Sequence, residues 1–508
     1  MPLFDSLPRI AVALGLPTVD RLLQQARREV ESGETLLEFR LDYLDNPEQG
    51  VRAMRRFLSE SPDCTILATC RRHQNHGHFN GSIEEQIRIL SAAVENGARA
   101  VDIEIESAEA APARLDIFRG RARLILSYHN FEGTPAMEAV LARMLRVAAD
   151  AYKIVTTARK PSDSLRVLSL ARAHPRVPLI LLAMGEIGFP SRVLSPLFGG
   201  LYTYAAANTT EGTAAGQVCA RQLRHVYHIE KLGRESRIYG VIGDPVGHSI
   251  SPAVQNRAFQ ARREDAVYLP FLVQAAQLKD FMLLAAKLPL TGFSVTIPHK
   301  QKIIRYLDAV DPLARRIGAV NTVWRKAGKW RGSNTDAEGV TAPLAKRVRL
   351  GKSTVLVAGN GGAARGAVFA LAAAGATVSI TGRNPDRVRA LAKACGAEPL
   401  AYEQAVAGHF DVLVHATPLG MHPNVRETFF PDRIPADLVF DMVYNPADTL
   451  LLRQAREQGK AVVPGTEMFL EQAVRQFEIW TGETAPRGVM EKAVAEALAA
   501  HSEPIMSS

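Results

Sequence analysis

Apolar runs alternate with helix-periodic stretches along residues 1–210, and the runs predict eight strands. The predicted strands are Arg9–Leu16, Leu36–Tyr43, Cys64–Cys70, Ala100–Ile105, Arg123–His129, Ala151–Thr157, Val177–Met184 and Gly200–Ala207. Val19–Glu31 and Ile83–Glu95 are examples of the helical stretches between them. Strands that alternate with helices pair in parallel through crossover connections. Eight such units predict an N-terminal (β/α)8 barrel.

Polar side chains stand at the predicted strand ends, where barrels of this kind gather their functional groups. Glu38, Arg40 and Asp42 alternate along the second strand, so they should share its inner face. Further polar residues lie in or after later strands, at Arg71, Asp102, Glu104, His129, Lys153, Arg192 and Gln217. Inward charges are costly unless they pair or bind a ligand. Their convergence therefore indicates a site.

Lys153 is the candidate nucleophile of that site. A desolvated lysine beside arginines has its ammonium form disfavoured, and the free amine can form an imine with a ketone. A histidine such as His129 can then move the proton. Taken singly, each residue also has a structural reading. Lys153 could reach solvent, His129 could be a hydrogen-bonded core histidine, and Glu38 with Arg40 could form an ion pair.

Seven segments carry a family resemblance across this half: LLEFRLD, TCR, VDIEIE, SYHNF, AYKIV, MGEIGFPSR and TAAGQ, in that order. They resemble the type I 3-dehydroquinate dehydratases over about residues 8–225. The resemblance implies that Lys153 forms an imine with the substrate ketone and that His129 acts as general base and then as general acid. It also implies that the substrate carboxylate and hydroxyls are held by Glu38, Arg40, Arg71, Arg192, Thr213 and Gln217.

Two positions depart from that family's pattern. Thr213 stands where serine is usual, which keeps a hydroxyl. Asn75 stands where the family usually has a glutamate that hydrogen-bonds the catalytic histidine. The change removes a charge that would favour protonated His129, so we expect Asn75→Glu to change the pH dependence of dehydration. The alternative is that another carboxylate, such as Glu104, already fills that role.

A polar linker, EKLGRES at 230–236, ends the barrel pattern, and a domain boundary is expected near residue 233. Further along, the apolar strand Ser353–Ala358 leads into a glycine-rich turn and the helical stretch Arg365–Ala374, and a second strand follows at Ala376–Thr381. This arrangement is typical of a dinucleotide-binding Rossmann lobe. The turn residues expected to contact the pyrophosphate are Gly359, Asn360, Gly361, Gly362 and Ala363.

The residues after the second Rossmann strand indicate NADP. Sites that prefer NAD place an acid there for the ribose hydroxyls, whereas this chain has Arg383, followed by Asn384 and Arg387. A guanidinium matches the geometry of a 2′-phosphate. Asp386 is the competing ribose acid, but it comes late, after Pro385, and is expected instead to cap the next helix.

Six further segments, GFSVTIPHK (292–300), IGAVNTV (317–323), GSNTDAEG (332–339), HATPLGM (415–421), DMVYNP (441–446) and PGTEMFLEQA (464–473), resemble the shikimate dehydrogenases from residue 237 to about 500. The resemblance implies that Lys300 and Asp336 form the catalytic pair. It places Ser249 and Ser251 on the substrate carboxylate, and it adds to the site Thr296, Asn321, Tyr444 and Gln472, with cofactor contacts from Met442 and Gly465. His415 stands where asparagine is usual. The helix Phe469–Trp480 is expected to cross back onto the substrate lobe.

Composition and charge agree with a folded chain that binds small anionic molecules. The 508 residues carry a net charge of +9 with dispersed arginines, which argues against nucleic-acid binding. No apolar stretch is long enough for a membrane span, and four scattered cysteines indicate neither disulfides nor a metal site. We therefore expect a cytoplasmic protein without metal or membrane partners, and its oligomeric state stays open.

The sequence thus predicts three α/β domains: a barrel at 1–232, a substrate lobe at 233–342 and an NADP-binding lobe at 343–508. Its predicted activities are dehydration of 3-dehydroquinate to 3-dehydroshikimate and NADPH-dependent reduction of that product to shikimate. Two alternatives remain open. The second half could be a quinate/shikimate dehydrogenase that uses NAD, or the chain could be a non-catalytic sensor of these intermediates.

Overall fold

The computed structural model describes residues 7–208, 212–214 and 216–502. The chain divides into two compact units. The first contains residues up to 237 together with 265–289, and the second contains residues 238–264 and those from 290 onwards. The three-domain division stays a prediction.

The first unit contains the predicted barrel. Its parallel strands are β1 (Ile10–Leu14), β2 (Leu36–Arg40), β3 (Thr65–Thr69), β4 (Ala100–Glu104), β5 (Arg123–His129), β6 (Ala151–Thr157), β7 (Leu179–Met184) and β8 (Thr203–Ala206). The strand order runs β7-β6-β5-β4-β3-β2-β1-β8. At the seam between β7 and β8, Leu201 N donates to Leu179 O at 2.8 Å. The eight-stranded α/β barrel is therefore confirmed.

Several predicted strands extend beyond the observed ones, among them those predicted at Arg9–Leu16, Cys64–Cys70 and Gly200–Ala207, and the difference matters most at β2, which was predicted as Leu36–Tyr43. β2 ends at Arg40, and a 3-10 turn at Leu41–Tyr43 follows. Asp42 consequently does not continue the inner face of the strand as predicted. The turn instead folds it back onto Arg40, with Nε and Nη2 of Arg40 donating to the two Asp42 oxygens at 2.9 and 2.8 Å.

In the described part of the barrel, eight helices alternate with the strands: α1 (Val19–Glu31), α2 (Pro47–Glu60), α3 (Ile83–Glu95), α4 (Ile105–Ala110), α5 (Met137–Met144), α6 (Pro161–Ala173), α7 (Phe189–Leu194) and α8 (Ala220–His225). Local caps explain several starts. The Thr18 hydroxyl accepts from Arg21 N before α1, and Ser82 forms a capping box with Glu85 at α3. The turns include 3-10 segments at His73–Asn75, Pro112–Phe118 and Ser195–Phe198.

The interior of the barrel is apolar near the amino ends of its strands and polar near their carboxyl ends. Its apolar layer includes Leu36, Leu67 and Ile125 near the amino ends. Because strand side chains alternate between faces, Glu38 follows Leu36 on the inner face two residues later. The polar end of the interior therefore coincides with the carboxyl ends of the strands.

The next elements along the chain are β9 (Arg237–Gly243), α9 (Ser251–Ala261), β10 (Ala266–Leu272), α10 (Leu278–Lys287), β11 (Leu290–Val295), β12 (Ala309–Val310), α11 (Pro312–Ile317), β13 (Thr322–Lys326), β14 (Lys329–Ser333) and α12 (Asp336–Ala345). A 3-10 turn at Lys302–Tyr306 precedes β12. β10 and α10 fall in the first unit. Five strands of the second unit are ordered β9-β11-β13-β14-β12. β9 and β11 are parallel, whereas β13 runs antiparallel to β11 and to β14.

The Rossmann sheet follows, with strands β15 (Thr354–Ala358), β16 (Thr377–Thr381), β17 (Glu398–Pro399), β18 (Phe410–His415), β19 (Ala436–Asp441) and β20 (Ala461–Val463). Its helices are α13 (Gly362–Ala373), α14 (Pro385–Cys395), α15 (Tyr402–Ala407), α16 (Leu450–Glu457), α17 (Gly465–Thr481) and α18 (Arg487–Ser502). All strands of this sheet are parallel, in the order β17-β16-β15-β18-β19-β20. The chain adds β16 and β17 on one side of β15 and then crosses to add β18 on the other side. Sheets of this kind bind dinucleotides at this switch point.

The helix α17 returns to residues that precede the Rossmann sheet. It packs against α12 and α9, and Gln255 Nε2 donates to Ala473 O at 3.0 Å. Gly339 allows the close approach of α12, because a Cβ there would lie 3.0 Å from Met468 O. Among the described residues, no helix combines the length and apolar character needed to cross a bilayer.

Candidate active sites

A cavity of about 540 Å3, including its open mouth, lies at the carboxyl ends of the barrel strands. It is lined by Glu38, Arg40, Arg71, His76, His129, Phe131, Lys153, Val155, Leu182, Met184, Arg192, Tyr204, Thr213, Ala214 and Gln217. All eight residues predicted for the dehydratase site are among them. The volume suits a small molecule, and the charged lining suits an anionic one.

Lys153 lies within β6, where it contacts carboxylates rather than the arginines expected from the sequence. Its Nζ donates to Asp102 Oδ2 at 2.9 Å and lies 3.5 Å from Glu38 Oε1. The Nζ also lies 4.1 Å from the centroid of the Tyr204 ring, a cation–π distance. Glu38 in turn accepts from Thr69 Oγ1 at 2.7 Å. The amine is therefore held in one place on the cavity floor.

Asp102 is the buried anion at the centre of this arrangement. It is 1% exposed, and besides Lys153 it accepts from Ser127 Oγ at 2.6 Å and from Arg71 Nη2 at 3.4 Å. Burial alone would raise the pKa of Asp102, but the charges of Lys153 and Arg71 hold it at about 2. A permanent carboxylate beside Lys153 can stabilise a positively charged iminium.

His129 ends β5 and borders the cavity. Burial, together with the positive charges of Arg71, Lys153 and Arg40, lowers the pKa of His129 well below its ordinary value. A neutral imidazole is the form that can accept a proton.

The two carboxylate hypotheses for His129 do not match the structure. Asn75 does not face His129, because its Nδ2 donates to Glu106 Oε2 at 3.0 Å. Glu104 is also engaged elsewhere, accepting from Arg72 N at 3.0 Å and from Gln86 Nε2 at 2.7 Å. The backbone of the turn after β3 decides this outcome, since it sends Asn75 away from the cavity and His76 into it.

The remaining predicted residues form the cavity walls. Arg71 pairs with two carboxylates of β4, and Arg192 is 1% exposed with its Nη1 3.4 Å from Tyr204 O. Burial lowers the pKa of Arg192 to about 10. Thr213 N donates to Gln217 Oε1 at 2.7 Å, so these two polar groups form one patch.

The predicted catalytic pair of the second unit is in direct contact. Lys300 Nζ donates to Asp336 Oδ2 at 2.6 Å, and Asn321 Nδ2 donates to Asp336 Oδ1 at 2.8 Å. Thr335 N and Thr322 Oγ1 each donate to Asn321 Oδ1 at 2.8 Å. The chain of hydrogen bonds fixes the carboxylate, and the carboxylate fixes the ammonium.

Sheet topology brings three of the other predicted substrate residues to one edge, whereas Gln472 and Tyr444 lie on other elements. Ser249 and Ser251 follow β9, and Thr296 follows the parallel strand β11, so all three lie beyond adjacent carboxyl ends. Ser249 Oγ accepts from Ser251 N at 3.3 Å. Gln472 lies on α17, with its Nε2 bonded to Phe469 O at 3.0 Å, and the Tyr444 ring packs on Phe469.

The glycine turn after β15 is open and suited to a pyrophosphate. Gly359 has φ +135°, and a Cβ there would lie 2.7 Å from Ala416 O. A Cβ at Gly361 or Gly362 would meet no atom within 4 Å, so a ligand can approach the backbone. Gly362 begins α13 and Ala363 lies in its first turn, where backbone N–H groups favour anions.

Arg383, Asn384 and Arg387 are exposed beyond β16, next to the glycine turn. Asn360 Nδ2 donates to Asn384 O at 3.2 Å and joins the two loops. Asp386 does not cap α14 as expected. Asn384 is the cap, since its Oδ1 accepts from Arg387 N at 3.0 Å, while Asp386 pairs with Arg389. Exposed guanidinium groups beside the glycine turn have the charge and geometry that fit a phosphorylated dinucleotide.

His415 belongs to a polar network at the switch point of the sheet, in which His415, Asp441 and Thr449 are fully buried and Thr417 is partly buried. Its Nδ1 lies 2.9 Å from Asp441 Oδ1, and its Nε2 bonds Thr417 Oγ1. Asp441 also accepts from Thr449 Oγ1 at 2.6 Å and from Val443 N at 3.0 Å. Both bonds of the His415 ring are satisfied when its proton is on Nδ1. Nδ1–H then donates to Asp441, and Nε2 accepts from the Thr417 hydroxyl.

Neighbouring predicted contacts follow from this network. Met442 N donates to His415 O at 3.0 Å, which places Met442 beside the switch point. Gly465 begins α17, and a Cβ there would lie 2.3 Å from Val443 O, so only glycine fits.

The sequence pattern places Asp102 among the converging polar residues of the barrel but gives it no role, and it does not indicate His76 or Tyr204 at all. Asp102 lies on the inner face of β4, one layer below Glu104, and its contact with Lys153 is what assigns it a role. Tyr204 reads as an ordinary apolar strand residue, and His76 lies in a polar turn without any periodic signal.

Models of known families match most of the chain. Residues 10–234 match the type I 3-dehydroquinase model, and residues 241–323 match the shikimate dehydrogenase substrate binding domain. Residues 343–427 match the shikimate/quinate 5-dehydrogenase model, and residues 465–495 match the shikimate 5′-dehydrogenase C-terminal domain.

A relative from Arabidopsis thaliana, the chloroplastic bifunctional 3-dehydroquinate dehydratase/shikimate dehydrogenase, is 36% identical over 497 residues, which cover 92% of this chain and 81% of the relative. This chain belongs to that bifunctional family. The dehydrogenase half of this family member also resembles single-function proteins. The shikimate dehydrogenase (NADP(+)) of Oleidesulfovibrio alaskensis is 42% identical over 270 residues, covering 52% of this chain and 96% of that protein.

A solved structure of a shikimate dehydrogenase in complex with NADP+ is 33% identical, with a TM-score of 0.50. It covers 53% of this bifunctional chain and 97% of the solved one. The similarity to this solved structure is confined to the dehydrogenase half of the chain, as expected for a fusion of two enzymes.

Proposed function

We propose that the chain dehydrates 3-dehydroquinate in the barrel and reduces the product, 3-dehydroshikimate, to shikimate in the second unit with NADPH. The observation that carries this proposal is the presence of two complete polar constellations in one chain, Lys153 with Asp102 and His129, and Lys300 with Asp336. Similarity to a bifunctional relative along 92% of the chain supports the pairing.

In the barrel, Lys153 Nζ attacks the substrate ketone, and loss of water gives an imine. Asp102, 2.9 Å away, balances the positive charge of the iminium. Neutral His129 takes the proton from the carbon next to the iminium and returns it to the departing hydroxyl, which leaves as water. Hydrolysis of the imine then releases product, so the net reaction removes one water.

In the second unit, NADPH when bound supplies a hydride to the carbonyl carbon. Lys300 donates a proton to the carbonyl oxygen, and Asp336 keeps its ammonium aimed at that oxygen. We assign the substrate carboxylate to Ser249 and Ser251, and Thr296, which follows the adjacent strand β11, to the rest of the substrate site. The cofactor roles proposed for the glycine turn and Arg383 place the dinucleotide at the switch point.

Purified protein given 3-dehydroquinate and NADPH should form shikimate. Borohydride added with substrate should leave ligand mass on the Lys153 peptide, and Lys153→Met should abolish both the adduct and dehydration while reduction of 3-dehydroshikimate continues. Dehydration without an adduct would exclude the imine route. Binding of both substrates without turnover would favour the sensor alternative.

Quinate is a second candidate substrate, because the family model matched at 343–427 covers shikimate and quinate dehydrogenases. Comparison of kcat/KM for shikimate and quinate oxidation, each with NADP+ and NAD+, separates the two.

We also propose a cytoplasmic location and the three domains described above. All four cysteines are free, which supports a reducing compartment. Cell fractionation tests the location. Expression of 1–232 and 233–508 as separate fragments tests the division, and each fragment should retain one activity.

A further inference from the structure

A buried glutamine on the helix α17 is bonded to the strands that carry the catalytic pair of the second unit. Gln476 is 2% exposed, and the mechanism above does not use it. Its Nε2 donates to Thr322 Oγ1 at 3.1 Å and to the main-chain oxygen of Asn321 at 3.4 Å. Its Oε1 accepts from Ser294 Oγ at 2.9 Å. Both ends of the Gln476 amide therefore have partners near the proposed substrate site.

The strands β11 and β13 place these partners side by side. The two strands are antiparallel, and Ser294 lies directly opposite Thr322 in their register. Thr296 immediately follows β11, and Asn321 immediately precedes β13. The Gln476 amide therefore joins the two strands at the end where the substrate is proposed to bind.

The bond from Gln476 favours one direction of the Thr322 hydroxyl. The Nε2 of a glutamine can only donate, so Thr322 Oγ1 accepts from it and turns its own proton elsewhere. Asn321 Oδ1 lies 2.8 Å away and can accept that proton. Thr335 N donates to the same oxygen at 2.8 Å. With Oδ1 accepting twice, the Nδ2 of Asn321 faces Asp336 Oδ1 at 2.8 Å.

Other side chains hold α17 in place. Trp480 Nε1 donates to Val323 O at 3.1 Å, and Gln255 Nε2 donates to Ala473 O at 3.0 Å. A buried amide is costly unless its hydrogen bonds are made, whereas an apolar side chain could pack at the same position without that cost. The glutamine at position 476 is therefore explained by its bonds to β11 and β13 rather than by the packing of the helix.

We propose that Gln476 is a positioning residue for the reduction carried out by the second unit. Through Thr322, it holds the Asn321 amide in the orientation that bonds Asp336. Asp336 in turn aims the Lys300 ammonium at the carbonyl oxygen. The inference rests on the proposed dehydrogenase function and adds to its site a residue from a helix that begins in the Rossmann lobe.

Gln476→Met tests the proposal, because methionine has a similar length and volume but cannot donate to Thr322. It should lower kcat for reduction of 3-dehydroshikimate about tenfold and change KM less than about twofold, because aim of the proton donor matters mainly in the transition state. Gln255→Met is the matched control, since it also removes a buried glutamine bond that involves α17. Its kcat should change less than about twofold. Equal losses of kcat in the two variants would overturn the proposal.

A double-mutant cycle with Thr322→Val separates the hydrogen-bond chain from general packing. Thr322→Val breaks the same chain from the strand side, so it should also lower kcat about tenfold, and it serves as the test if Gln476→Met does not fold. Adding Gln476→Met to Thr322→Val should lower kcat less than about twofold further, because the bond between the two residues is already absent. A second full tenfold loss would contradict the proposed route through Thr322.

Hydrogen exchange in the unliganded full chain gives a test without turnover. Because the Thr335 N–H donates to Asn321 Oδ1, its exchange rate, read by fragmentation mass spectrometry, reports the orientation of the Asn321 amide. Exchange should become about tenfold faster in Gln476→Met and stay at the wild-type rate in Gln255→Met. Equal rates in the two variants would contradict the inference. If the wild-type chain does not reduce 3-dehydroshikimate, the proposed function fails, and the exchange rates still decide whether Gln476 orients Asn321.

Discussion

Replacing Asp102 by asparagine should destabilise the barrel and flatten its response to acid. The variant keeps the shape of the side chain but removes the anion that contacts Lys153 at 2.9 Å and Arg71 at 3.4 Å. Of its carboxylate partners, Lys153 would retain only Glu38 at 3.5 Å, and Arg71 would retain only Glu104 at 3.7 Å. Removing one partner of a buried ion pair costs about 3–5 kcal/mol.

The pKa of Asp102 gives a second measure of the same effect. It is about 2, against an ordinary value of 3.8. At about 1.4 kcal/mol per pKa unit, the ionised form of Asp102 contributes on the order of 2 kcal/mol to folding. Because the folded pKa lies below the unfolded one, this contribution is fully present above about pH 4 and is lost as the pH falls towards 2. About half should remain at pH 3.

Hydrogen exchange read by mass spectrometry is the appropriate assay, because a chain of two units need not unfold in one step. Asp116→Asn is the matched control, since Asp116 pairs with Arg119 on the surface, where both side chains are more than half exposed. We expect β4 and β5 to lose about 3 kcal/mol of protection at pH 7 in Asp102→Asn and almost none in the control. An equal loss in both variants would refute the buried-charge account. A difference between wild type and Asp102→Asn that stays undiminished at pH 3 would refute the pH argument.

Three side chains outside this ion-pair cluster give further testable predictions. Arg383→Asp should lower kcat/KM with NADPH at least tenfold and leave NADH nearly unaffected, because it removes the proposed phosphate partner; a wild type that prefers NADH would contradict this. His415→Ala breaks the buried bond to Asp441 and should raise the KM for NADPH severalfold without changing dehydration, as steady-state kinetics of both reactions can show. Asp280 accepts from Ser162 N and Oγ at 2.8 and 2.7 Å at the start of α6, so Asp280→Ala should cost the barrel unit about 1–2 kcal/mol. Unchanged exchange at the start of α6 would argue against this cap.

The local pattern of the chain determined its architecture. β5, β6, α1 and α3 occupy the ranges read from apolar runs and helical periodicity, because a buried parallel strand must be apolar along its length and bounded by polar turns. The glycine turn before α13 was equally readable, since a tight approach to a phosphate needs residues without Cβ. The barrel candidates Lys153 and His129 also followed from this level, because the carboxyl ends of parallel strands meet at one edge, whereas Lys300 and Asp336 followed from the family resemblance.

The tertiary structure alone decided which charged groups pair with which. Nothing local to Lys153 indicates that Asp102 of β4 is its partner, since the contact spans a strand and 51 residues. The direction of Asn75 and His76 depended on the dihedral angles of a single turn. Asn384 rather than Asp386 caps α14, because the Asn384 Oδ1 is the side-chain oxygen that accepts from Arg387 N. Hydrophobic periodicity records which side of an element is buried, but electrostatic partners are chosen by distances of a few ångströms between elements that only the folded chain brings together.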